Sequence, residues 1–216
     1  MCSPSPDRHD DTPAPAIKPF AEAVRFHGHV CPGLTLGYRA AGIAMQRLCS
    51  DRSVDEELVT IVETDACGVD AIQVVTGCTA GKGNLIFRDL GKHAYTFINR
   101  RTGEAIRIVT NPSFSADELD PALARLRPRV MGGEATDEER AEFWKRMQAI
   151  SDTIMAMSEE QLFTIRQVEA DIPERARIFR SVPCARCGEM TAESRIRLEN
   201  GEHVCFTCSG HYSRGW

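Results

Sequence analysis

Four cysteines near the end of the sequence constrain its fold more than any other feature. They form two CxxC pairs, Cys184 with Cys187 and Cys205 with Cys208, separated by a 17-residue spacer. Each CxxC knuckle bends two thiolates toward one point, and four thiolates satisfy a tetrahedral Zn²⁺ with no open position. Gly188 suits the turn after the first knuckle, and "RIRLENGEHVC" reads as a hairpin that returns the second knuckle to the first. Residues 182–216 are therefore expected to form a small zinc finger, in which metal binding replaces a core too small to assemble alone. The four arginines of this segment (186, 195, 197, 214) are balanced by four glutamates (189, 193, 199, 202), which favours contact with protein over nucleic acid.

The remaining length leaves room for one core of about 150 residues. Hydrophobic residues at 42% and charged residues at 26% describe a globular chain, and no window approaches the roughly 18 apolar residues of a membrane helix. Residues 1–16 are rich in Pro and Asp and have no apolar export region, so a disordered leader and a cytoplasmic location are expected. In that setting nine cysteines read as metal ligands or reactive thiols. A net charge of −5 argues against a protein built to grip a polyanion.

Apolar spacing predicts helices over 17–27 and 33–48, the second with Gly37, Ala40, Gly42 and Ala44 leaving room for a close neighbour. "LVTIVETD" (58–65) reads as a buried strand, "VDAIQVVTG" as a helix ending at Gly77, and "KHAYTFIN" with "EAIRIVTN" as a hairpin. Three Ser/Thr-x-x-Glu/Gln boxes, at Ser115, Thr136 and Ser158, predict helices near 116–127, 137–156 and 159–162. A short strand follows in "LFTIRQVEADIP". The expected organisation is a core over 17–168, a linker over 169–181 and the finger.

Within the core, "FHGHVCPG" puts His27, His29 and Cys31 at alternate positions. Imidazole and thiol donors jointly suit soft metal ions or redox chemistry. Extended backbone would turn all three donors to one side, whereas helical backbone would keep His27 and Cys31 together and send His29 away. Cys67, just past the strand at 58–65, and Cys78, one helix later, are further candidates. Asp65 and Asp70 lie near enough in sequence to orient an imidazole or accept a proton. Three protein ligands with an open fourth position would be the catalytic pattern for zinc or iron, with His27, Cys31 and Cys67 as the reactive set. A buried structural role for these cysteines is the plain alternative.

The loop "GCTAGKGN" departs from a Walker phosphate loop, having three residues rather than four before the Gly-Lys pair and no following Ser or Thr. Gly81, Lys82 and Gly83 remain candidates for cradling an anion, against a plain tight loop. Lys92 and His93, at the start of a strand, are assigned no role.

"FHGHVCPGLTLGYRAAGIAM" and "VETDACGVDAIQVVTGCTAGKGNLIFRDLGKHAYTFINRRTGEAIRI" together closely resemble the formylmethanofuran dehydrogenase FmdE family, with a finger similar to the one many members carry. The resemblance implies an α+β core, a mixed sheet flanked by helices, a treble-clef-like finger and a homodimer. It also implies, for some members, association with molybdenum or tungsten formylmethanofuran dehydrogenases acting on a formyl group carried by a C1 carrier. Carried over by position, the core-site candidates are His27, His29, Cys31, Cys67 and Cys78. The chain has no ferredoxin-like cysteine run, so it is not such a dehydrogenase itself. The readings that follow are a metal-binding accessory protein that delivers metal or cofactor or does thiol redox chemistry, a small zinc-dependent enzyme, and a zinc-finger regulator.

Overall fold

Helix and strand boundaries in the computed structural model, which describes residues 16–210, follow local chemistry closely. Helix α1 (Phe20–His27) ends at Gly28, whose φ of 100° is open to glycine and strained for other residues. Helix α2 (Pro32–Arg47) starts with proline at its first position, where a missing N–H costs nothing. Strand β1 (Leu58–Val62) is buried throughout, and α3 (Gly68–Thr76) leads from it to the short strand β2 (Leu85–Phe87). The hairpin of β3 (Ala94–Asn99) and β4 (Ala105–Thr110) follows.

The helix predicted over 116–127 is two helices, α4 (Ala116–Leu119) and α5 (Pro121–Met131). Asp120 precedes a proline and so leaves the helical region (φ −144°, ψ 91°), and its carboxylate caps the amides of Ala122 and Leu123. Helices α6 (Asp137–Ala156) and α7 (Glu159–Leu162) each carry a full reciprocal capping box, whereas Ser115 only accepts from the Glu118 amide. Strand β5 (Phe163–Val168) closes the unit.

The sheet is five-stranded and mixed, in the order β2-β1-β3-β4-β5, with β2 parallel to β1 and the other pairs antiparallel. Strand alternation turns Leu58, Val62, Tyr95, Phe97, Ile106 and Ile108 toward the helices to form the main core. On the other face Val59, Ile61, Ile98 and Ala105 make a smaller cluster. Beside that cluster, Arg107 reaches from β4 to both carboxylate oxygens of Glu63, with Nη2 to Oε2 at 2.7 Å. The guanidinium holds the Glu63 carboxyl below the usual carboxylate range. Its contribution to stability is therefore present above the ordinary carboxylate pKa and disappears as pH falls through the lower folded value. Glu63→Gln is expected to destabilise the core by about 1–3 kcal/mol at pH 7, and the gap to the parent should shrink below about pH 4. Urea melts of both proteins from pH 7 to 3 measure this, and a gap that widens on acidification would contradict it.

Among the described residues no helix is long and apolar enough to cross a membrane. The chain divides into two compact units at Arg175–Ala176. The second unit has strands β6 (Ser181–Pro183) and β7 (Met190–Ala192) around the first knuckle, then the hairpin β8 (Ile196–Glu199) and β9 (Glu202–Cys205) leading into the second. Its buried apolar residues are Cys184, Val204 and Cys205 alone among those described. The expected leader, residues 1–16, lies outside the described residues except for Ala16.

Candidate metal centre

Three elements converge on one point in the core. Helices α2 and α3 approach backbone to backbone, so that a methyl group added to Gly37 would meet the Gly68 carbonyl oxygen at 2.1 Å and its Cα at 2.4 Å. Two helix backbones in direct contact at this pair of glycines bring both helix N-termini together. Cys31 is the N-cap of α2 and Cys67 the N-cap of α3. The Cys31 sulfur accepts from the Leu34 amide at 3.3 Å, doing for α2 what a serine or aspartate oxygen usually does. Helix N-termini favour negative charge, and the Leu34 amide pulls the Cys31 thiol in that direction against its burial.

His27 completes the group from the last position of α1. Its Nε2 is 3.8 Å from the Cys31 sulfur, and the donor atoms of His27, Cys31 and Cys67 all lie within 4.8 Å of one another. A tetrahedral ion bound at about 2.05 Å from nitrogen and 2.3 Å from sulfur would set those two donors about 3.6 Å apart. The arrangement is therefore nearly of the size an ion requires. On the far side of the ring, His27 Nδ1 donates to Asp70 Oδ2 at 2.7 Å, which keeps the proton on Nδ1 and leaves the Nε2 lone pair for a metal. Gln73 Nε2 in turn donates to Asp70 Oδ1 at 3.4 Å, and it also lines an adjoining cleft of about 400 Å³ with Lys18, Arg25, Phe26 and Arg52.

Burial pushes the Cys31 thiol up to about 11, the Leu34 amide pulling against it and neighbouring Cys67 adding to it. A divalent cation relieves that conflict by letting two sulfurs ionise side by side. Three donors fill three positions of a tetrahedron and leave the fourth to solvent or a ligand. If these donors hold an ion, Asp70→Asn should weaken its binding by roughly 10- to 100-fold while leaving the fold intact, because the amide cannot hold the imidazole as a carboxylate does. Competition with a zinc-binding dye measures the change, and unaltered affinity would remove Asp70 from the site.

His29 does not join the three donors. The glycine turn at 28 breaks residues 27–31 between the helical end at His27 and extended backbone at Cys31, and the exposed His29 ring lies against His27 (centroids 4.6 Å apart) and Trp144 of α6 (5.4 Å). Burial, with His27 adding to it, pulls the His29 pKa down. Cys78 is also elsewhere. It sits beyond the opposite end of α3 from Cys67, with that helix, about 14 Å long at 1.5 Å per residue, between them, and is fully buried with its thiol toward the Leu58 carbonyl at 3.6 Å.

Lys82 is engaged structurally, its Nζ donating to the carbonyls of Ser53 and Val54 at 3.2 Å each. The buried Asn84 donates to the Asp55 and Leu58 carbonyls and accepts from the Thr79 amide. The glycine loop is thus tied down onto residues 53–58, and its cation is taken up by carbonyls; a methyl group on Gly81 would meet nothing within 4 Å, and Gly83 supplies a left-handed turn (φ 80°). Sequence patterning missed Asn84, as well as Tyr95 and Trp144 beside the site. For Tyr95 the available signal was the alternation of β3, which pairs it with Phe97 on the helix-facing side.

In the second unit the sulfurs of Cys184, Cys187, Cys205 and Cys208 lie within 4.8 Å of one another, with Cys187 and Cys205 3.9 Å apart. Tetrahedral zinc at about 2.3 Å from each sulfur requires about 3.8 Å. Backbone amides of Cys187, Cys205 and Arg186 pull the Cys184 thiol down to about 6, whereas the neighbouring sulfurs push Cys208 up to about 12. Four thiols so placed cannot all ionise without a cation among them.

A "Probable S-adenosyl-L-methionine-binding protein" of Archaeoglobus fulgidus is 35% identical over 201 residues, covering 88% of this chain and 52% of its own length. The chain thus spans about half the length of that curated relative. The crystal structure of a tungsten formylmethanofuran dehydrogenase FmdE-like protein from Syntrophus aciditrophicus shares the fold, with a TM-score of 0.54 at 21% identity over 91% of this chain and 96% of that one. The family model described as "FmdE, Molybdenum formylmethanofuran dehydrogenase operon" matches residues 26–164, a span that holds all three convergent donors, and the chain belongs to the FmdE family.

Proposed function

We propose that this chain is a metal-handling protein with two distinct sites. The core site, made by His27, Cys31 and Cys67 with Asp70 behind the imidazole, binds a soft divalent ion, zinc or iron. The four finger cysteines bind a structural zinc. The observation that carries the reading is the convergence of one nitrogen and two sulfurs from three separate elements within 4.8 Å. Purely structural cysteines gain nothing from being brought beside a histidine whose second nitrogen is already held by a carboxylate.

The role that fits this site is that of an accessory partner to a molybdenum- or tungsten-dependent oxidoreductase of the formylmethanofuran dehydrogenase type, working as a homodimer that supplies or stores metal or cofactor. Both clusters need reduced thiols to act as ligands, which suits a cytoplasmic location. The S-adenosyl-L-methionine binding named for the A. fulgidus relative is left with that protein, about half of whose length lies outside the match. A second reading is favoured by the open fourth position: a small zinc-dependent enzyme, in which a bound ion would lower the pKa of a water. There His27 and the two thiols would hold the ion, and Asp70 would keep the imidazole oriented.

Elemental analysis of anaerobically purified protein tests the two-site reading. The parent should carry two metal ions per chain, and a His27→Ala, Cys31→Ala double variant should keep one. A double variant that retains all the metal of the parent would show that the core holds no ion through these residues.

A further inference from the structure

Tyr95 stands on the helix-facing side of β3 and is 1% exposed. Its hydroxyl is aimed at the first turn of α3, where a methyl group placed on Gly68 would come within 2.7 Å of it. The preceding residue is Cys67. Burial, with the Cys67 thiol adding to it, pushes the phenol up to about 12. Among the described residues no protein group hydrogen-bonds the Tyr95 hydroxyl, and the oxygen is not sealed from solvent, whereas the more exposed Tyr38 donates to the Lys18 carbonyl at 2.8 Å. A hydroxyl on a buried ring that lacks a protein partner takes one from water or from a bound group that reaches it. Here the group on offer is whatever fills the fourth position beside Cys67.

We propose that the Tyr95 hydroxyl donates a hydrogen bond to a small anion held in the open position of the ion bound by His27, Cys31 and Cys67. This rests on the core-site reading above. It narrows the ligand class to small anions that keep a hydrogen-bond-accepting lone pair when bound to the metal, such as hydroxide or a short carboxylate. A neutral phenol donates one strong hydrogen bond and carries no charge, so it selects for such an acceptor without competing for the metal. Phe97, with its ring centroid 6.4 Å from that of Tyr95, and the surrounding core fix the ring, so the hydroxyl is presented in one place.

The test uses the full chain with the finger first loaded with zinc and the core then loaded with Co²⁺. Thiolate-to-cobalt absorption reports occupancy, and titration with sodium azide reports the open position. The Tyr95→Phe variant removes the oxygen and keeps the ring. Both proteins should take up the same amount of cobalt with the same thiolate band, and the variant should bind azide about tenfold more weakly. Equal azide affinity would overturn the proposal, as would parent protein that takes up cobalt and ignores azide. A thiolate band that differs before azide is added would put the hydroxyl on sulfur instead, and loss of cobalt from the variant alone would make Tyr95 part of the binding frame; either result overturns it. Failure of both proteins to load cobalt in the core would defeat the core-site reading itself, and this proposal with it.

Discussion

Replacing Gly37 by alanine is expected to destabilise the core by about 3 kcal/mol, a large effect for the addition of one methyl group. The methyl would lie 2.1 Å from the Gly68 carbonyl oxygen and 2.4 Å from its Cα, both backbone atoms that no rotamer change can move. Relief requires pushing α2 and α3 apart, which loosens the core to which Leu34 and Ala41 of one helix and Ile72 of the other belong. Intrinsic helix propensity works the other way, favouring alanine over glycine by about 1 kcal/mol, and is outweighed. The same displacement separates Cys31 from Cys67, so metal affinity at the core should fall along with stability. Gly42 on the same helix is the control, since a methyl there meets only the Ile17 Cδ1 at an ordinary 3.6 Å. Gly42→Ala should be neutral or slightly stabilising. Urea melts of the two variants decide the matter, and midpoints that shift alike would show that the glycine contact does not govern this helix pair.

On the reading that the finger holds zinc, removing it by chelation or by Cys184→Ser is expected to unfold the second unit while the first stays folded. The second unit buries only Cys184, Val204 and Cys205 among its described apolar residues, and two of these three are themselves ligands. Structural zinc in small fingers contributes about 10–16 kcal/mol, so nothing else in such a unit can stand in for it. Trypsin provides the assay, because Arg180, Arg186, Arg195 and Arg197 lie in or beside the four short strands. Metal-free protein should be cut rapidly at these arginines, leaving a resistant fragment containing the core. Resistance unchanged by chelation, with zinc shown to be absent, would mean that the unit folds on its own.

Much of this arrangement could be read in the sequence where the signal is local. The knuckle spacing announced the finger, the Thr136 and Ser158 boxes placed the starts of α6 and α7, and Gly77 marked the end of α3. Strand β2 was invisible because three residues, Leu85–Phe87, are too few to show a period, and its pairing with β1 depends on the crossover through α3. The membership of the core cluster was not legible either. His29 leaves because of a left-handed turn at Gly28, and Cys78 because the whole of α3 stands between it and Cys67. Nothing in spacing distinguishes those two from the residues that converge. The orienting role of Asp70 was suggested by its nearness in sequence, but its pairing with His27 required the packing of α1 against α3.

All three core donors take their positions from one nine-residue helix. Cys67 caps α3, Asp70 on α3 pins the imidazole, and the glycine crossing seats the Cys31 end of α2 against it. On the two-site reading, the core pocket takes its shape from side chains and helices already packed for other reasons, and filling it should leave the surrounding backbone as it was. The finger is the reverse case, where so few apolar side chains are buried that the shape would depend on the shared ion. One chain would thus pair a socket set by packing with one set by its occupant.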